Sequence, residues 1–69
     1  MTVLSRREAF GSRLRELRIA RGLSQEDMAH AAGLDRSYVG GVERGQRNVS
    51  LDNIHKLADA LDVTVRELF

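Results

Sequence analysis

The feature that most restricts how this chain can fold is its punctuation. Ser24, Asp35, Ser50 and Thr64 each stand just before a run whose apolar residues recur three and four positions apart, and Gly22, Gly33 and Gly45 close the earlier runs. A side-chain oxygen at such a starting position accepts one of the amide N–H groups that the first helical turn leaves unpaired. Glycine ends a helix by taking the left-handed conformation that other residues resist. The apolar residues fall mainly at helical rather than alternating spacing, which favours helices over strands. The pattern predicts an all-α fold: a compact bundle of five short helices at about 6–21, 24–32, 35–44, 51–61 and 64–69, forming one domain over 1–69.

The inward faces follow from the spacing. Phe10, Leu14 and Leu17 line the first helix, Met28, Ala29 and Ala32 the second, and Val39 and Val42 the third. Leu51, Ile54, Leu57, Ala58 and Leu61 form the stripe of the fourth. Thr64 and Glu67 form a capping-box pair for a short last helix carrying Val65, Leu68 and Phe69. A chain of 69 residues buries a limited core and usually needs a staple or a partner. Without cysteine there is no disulfide, thiolate metal site or cysteine nucleophile, which suits a cytoplasmic protein. Val65, Leu68 and Phe69 are therefore expected to supply a homodimer interface.

Charge narrows the function further. The formal net charge of +1 divides unevenly. Through Asn48 nine arginines face six acids, whereas Lys56 and Arg66 face four acids from Val49 onward. A basic front favours a polyanion, and arginine's planar fork suits phosphates and guanine edges. The first ten residues carry Arg6, Arg7 and Glu8, so no signal peptide or membrane span is expected there. His30 and His55 stand apart from any carboxylate cluster at ligand spacing and read as helix-surface residues, so no metal is expected. No nucleophile arrangement or phosphate-cradling loop after a strand is present, which argues against an enzyme, a cofactor or a small-molecule ligand.

The informative stretch is Gln25 to Gly45: a short helix, a three-residue turn containing Gly33, and a second short helix. That is the outline of a DNA-binding helix-turn-helix, though spacing alone fits a plain helical hairpin equally well. Val39 and Val42 anchor the second of these helices, leaving Arg36, Ser37, Gly40 and Gly41 to face outward. Adjacent glycines inside a helix each cost about 0.5–1 kcal/mol relative to alanine. Close approach of the backbone to DNA is one explanation and close helix packing another; the first is favoured.

The runs Leu23-Ser-Gln-Glu-Asp-Met-Ala, Gly33-Leu-Asp-Arg-Ser-Tyr-Val and Val42-Glu-Arg-Gly-Gln-Arg-Asn-Val-Ser resemble the Cro/C1-type (XRE) helix-turn-helix regulators, over about Phe10 to Phe69. Leu34-Asp-Arg-Ser-Tyr followed by Glu43-Arg and Arg47-Asn is most similar to the controller proteins of restriction–modification systems. Val49 and Gly40 depart from the family, where proline and serine are common. The resemblance implies a lambda-repressor-like domain that regulates transcription as a homodimer on pseudo-palindromic operator DNA. It implies that Gln25 grips a phosphate, that Arg36 and Ser37 reach base edges, and that Tyr38 lies near the backbone or the site's centre. Arg44, Gln46, Arg47 and Asn48 are implied as phosphate contacts, and Arg18 and Glu43 as an ion pair joining two helices. An antitoxin-like protein-interaction module is the alternative.

Overall fold

The computed structural model describes residues 4–69; Met1, Thr2 and Val3, part of the charged amino-terminal stretch, lie outside the described residues. Four α-helices follow one another, α1 (Arg6–Ala20), α2 (Gln25–Ala32), α3 (Arg36–Glu43) and α4 (Leu51–Leu61), and a 3₁₀ turn, Val65–Leu68, follows them. Among the described residues there is no strand. The expected fifth helix is that single turn: four residues allow only i→i+3 closure, seen as Glu67 N–H to Thr64 O at 3.0 Å.

The helix starts are chemically explicit. Ser24 Oγ accepts from the Asp27 amide at 2.9 Å and the Asp27 carboxylate accepts from the Ser24 amide at 3.0 Å. Ser5 and Glu8 form the same reciprocal box at the start of α1, at 3.1 and 3.0 Å. Asp35 accepts from the Ser37 amide at 3.3 Å, and Ser50 from the Asn53 amide at 3.1 Å. Glu67 accepts from the Thr64 amide at 2.8 Å. α4 ends at Asp62, a non-glycine residue in the left-handed region (φ 55°), a stop that no glycine announces.

α1 packs on α3, α2 on both α3 and α4, and the 3₁₀ turn closes against α1 and α4. The core comprises Phe10, Leu14, Met28, Ala29, Ala32, Val39, Val42, Leu57, Ala58, Leu61 and Leu68. Ten of these eleven belong to the stripes read from spacing, and Leu68 completes the set from the carboxy-terminal turn. Leu51 does not join them: at the first position of α4 it is 68% exposed. Gly11 lies where α1 crosses the end of α3. A Cβ there would stand 2.6 Å from the Glu43 carbonyl oxygen, so the absent side chain is what lets the helices touch. No helix among the described residues is long and apolar enough to cross a membrane.

Candidate nucleic-acid interface

The turn between α2 and α3 sets the geometry. Gly33 adopts φ 68°, ψ 33°, and the Leu34 amide then reaches back to the Ala29 carbonyl at 2.8 Å. The chain reverses within three residues, and Asp35 starts α3 at once. Ala29, 2% exposed, and fully buried Val39 hold the two helices against the core. An open notch of about 480 Å³ forms between the start of α2 and the length of α3, lined by Gln25, Asp35, Arg36, Ser37, Gly40 and Arg44.

Arg36 and Ser37 occupy the first turn of α3 and are exposed. The Ser37 hydroxyl donates to Asp35 Oδ2 at 3.1 Å, which orients it at the rim of the notch. Tyr38 is half-buried. Its hydroxyl donates to the Asn48 carbonyl and accepts from Asn53 Nδ2, both at 3.1 Å. Asn53 went unread in the sequence, because it serves the interface only through this contact with a residue fifteen positions away. The Arg47 guanidinium lies 5.1 Å from the Tyr38 ring centroid. Arg44 Nε donates to Gln46 Oε1 at 3.1 Å, and Arg44, Gln46, Arg47 and Asn48 are all exposed on the carboxy-terminal side of α3.

Gly40 lines the notch, but neither Gly40 nor Gly41 is open to solvent as expected. Both are buried, covered by the polar side chains around them. A Cβ on Gly40 would stand 3.1 Å from Arg44 Nη1 and 3.4 Å from Gln25 Oε1, and one on Gly41 2.5 Å from Arg47 Cγ. The long arginines fold back over the helix that precedes them, and the glycines make room.

Beneath the notch lies a charged network. Arg18 Nε donates to Glu43 Oε2 at 2.7 Å and Arg18 Nη2 to Glu43 Oε1 at 3.1 Å, a two-pronged pair. The Arg18 and Glu43 side chains are only 11% and 2% exposed. Arg18 Nη1 also donates to the Leu23 carbonyl at 2.8 Å, and Gln25 Nε2 donates to Glu43 Oε1 at 3.1 Å. The network ties α1 and the start of α2 to the end of α3. It engages one of the two N–H donors of the Gln25 amide, leaving the other for a ligand.

At the carboxy-terminal end the expected interface residues separate. Leu68 is fully buried in the chain's own core, because the tight 3₁₀ turn tucks it against α1 and α4. Val65 is half-buried against the same core. Phe69 is 76% exposed, its ring tilted against Phe10 with centroids 5.2 Å apart. Beside it runs an apolar cleft of about 380 Å³ lined by Arg6, Ala9, Phe10, Arg13, Leu68 and Phe69. Among the described residues no group of His, Cys, Asp or Glu could hold a metal ion.

Two short helices, a glycine turn and an exposed second-helix amino end define a helix-turn-helix protein of the DNA-binding regulator class. The chain belongs to that family: the profile described as helix-turn-helix, the Cro/C1-type group, matches residues 14–68. Within it, the chain is 45% identical over 60 residues to the control protein C.BamHI of Bacillus amyloliquefaciens, covering 86% of this chain and 74% of that protein. It is 46% identical to the control protein C.MunI of a Mycoplasma species, covering 87% and 82%. The crystal structure of the restriction-modification controller protein C.AhdI from Aeromonas hydrophila superposes with a TM-score of 0.90 at 73% identity, covering 91% of this chain and 96% of that one.

Proposed function

We propose that this chain is a sequence-specific transcriptional regulator of the restriction–modification controller type, binding operator DNA in the cytoplasm as a homodimer. The observation that carries this reading is the exposed amino end of α3. Arg36 and Ser37 stand there at the rim of the notch, while Arg44, Gln46, Arg47 and Asn48 cluster at the other end. A helix presented this way enters the major groove by its first turn, while flanking residues hold the strands.

Electrostatics divides the work along the notch. Asp35 repels phosphate, so its end of the notch suits base edges, where Arg36 matches the O6 and N7 acceptors of guanine. Toward the carboxy-terminal end of α3, Arg44 and the second N–H of the Gln25 amide present donors above a Glu43 carboxylate already paired with Arg18, which suits a phosphate. A dimer places two such helices one helical turn of DNA apart and matches a pseudo-palindromic operator. The exposed Phe69 and the apolar cleft beside it are the surface we assign to the second copy. The resemblance of the Leu34-Asp-Arg-Ser-Tyr and Arg47-Asn runs to controller proteins implies the chain's own promoter as one target, through activation, repression or both.

Titrations of duplexes from the flanking DNA of the gene, beside scrambled controls at two salt concentrations, test this. Arg36→Ala is expected to cost about 1–3 kcal/mol on the operator alone and to relax preference at one base position. Arg47→Ala is expected to weaken both duplexes alike and to lower the salt slope by about one. Equal losses on both duplexes for Arg36→Ala would refute base reading by that residue.

A further inference from the structure

The glycine at position 41 has a contact that neither helix propensity nor helix crossing explains. What stands nearest the place of its missing side chain is not another helix but Arg47, whose Cγ, Cδ and Cβ would lie 2.5, 3.5 and 3.6 Å from an added Cβ. From that bed the Arg47 guanidinium continues to the face of Tyr38. The ring is itself fixed at its far end by the Asn48 carbonyl and Asn53. We propose that Gly41 is a positioning residue for DNA recognition: by lacking a side chain it lets Arg47 lie across α3 and stack on Tyr38, so the cation is held in place before DNA arrives.

Three side chains, one backbone carbonyl and one missing side chain thus act as a unit. Asn53 and the Asn48 carbonyl orient the ring, the ring holds the guanidinium, and Gly41 clears the path of the aliphatic stem. Arginine carries many rotamers, and ordering such a side chain on binding costs affinity unless it is already ordered. An alanine at 41 meets the middle of the arginine chain rather than its tip, so the whole side chain must rotate away and the stack opens. The functional half of this inference rests on the DNA-binding reading above; the structural half does not.

The test uses the full chain with Gly41→Ala, Arg47→Ala and the double variant. Phe10 and Phe69 line a cleft with Arg47, so the stack is reported by that part of the ring-current displacement of the Arg47 side-chain protons in NMR spectra that a Tyr38→Leu variant removes. Gly41→Ala is expected to erase that part of the displacement without unfolding the chain. It is also expected to weaken binding to flanking-gene duplexes by about two- to tenfold in the Arg47 background and not at all in Arg47→Ala. Unmoved Arg47 protons would overturn the packing claim. Binding unchanged or tightened by Gly41→Ala, or a loss that persists with Arg47 absent, would overturn the positioning role. Should Gly41→Ala fail to fold, the double variant decides: with Cγ and Cδ gone it must fold, and its failure to do so overturns the inference. If the parent chain binds no duplex, the DNA-binding reading fails, while the NMR comparison still judges the stack.

Discussion

Replacing Glu43 by glutamine keeps the shape of the side chain and removes its charge. In the folded chain that carboxylate accepts two hydrogen bonds from Arg18 and one from Gln25, all between 2.7 and 3.1 Å, with its own side chain 2% exposed. After the change Arg18 is a cation at 11% exposure with no facing charge. The Leu23 carbonyl still accepts from it, and the glutamine oxygen still accepts once. Breaking one side of a buried pair typically costs about 3–5 kcal/mol, and the surviving bonds place this case near 3. A chain of this length commands a total stability of about 3–10 kcal/mol, so the loss is a large share of it. For a domain this small, about 3 kcal/mol corresponds to roughly 12–24 °C in Tm. Thermal melts by circular dichroism at one fixed protein concentration measure it. A drop under about 4 °C would show that water already screens the pair and would refute the burial reasoning. The paired change Arg18→Met with Glu43→Met is expected to recover most of the loss, because it leaves no stranded charge.

Gly11→Ala should destabilise the chain by about 1–3 kcal/mol in urea titrations despite alanine's higher helix propensity, because the obstacle is the Glu43 backbone rather than a movable side chain; an unchanged midpoint would contradict the tight α1–α3 crossing. Stability should fall in acid. The Ser24 amide and then the Ser24 hydroxyl, with a smaller contribution from His30, hold Asp27 below its ordinary 3.8, and Ser5 does the same for Glu8 below 4.5. Both folded pKa values are lowered, so the contribution is present above those ordinary values and is lost as pH falls through the folded ones. Melts between pH 6 and pH 2 should show this, with a flatter profile for Asp27→Asn, and an identical profile would exclude the capping box as a source. Phe69→Glu should shift the chain toward monomer in analytical ultracentrifugation at tens of micromolar, and unaltered sedimentation would remove the carboxy-terminal face as the dimer surface.

The sequence alone determined what depends on neighbours along the chain. Ser24, Asp35 and Ser50 mark helix starts because a cap bonds to amides two or three residues away, and Gly33 marks the turn because left-handed φ belongs to glycine itself. The stripes from Phe10 to Leu61 were legible because periodicity is local, with Leu51 misread because the first residue of a helix can point past the core. Arg36 at the start of α3 was placed by its cap, and its meaning came from the family resemblance, as did the pairing of Arg18 with Glu43. Tertiary structure decided everything that depends on which distant atoms meet. Gly11 is needed because another helix's carbonyl arrives there, and Gly40 and Gly41 lie beneath arginines that fold back from the following loop. Asn53 serves Tyr38 across fifteen residues. At the end of the chain both Leu68 and Phe69 are apolar, and composition treats them alike. One 3₁₀ turn separates them in space, sealing Leu68 into the core and leaving Phe69 outside, because side-chain direction there is set by the packing of the turn on α1 and α4 rather than by hydrophobicity.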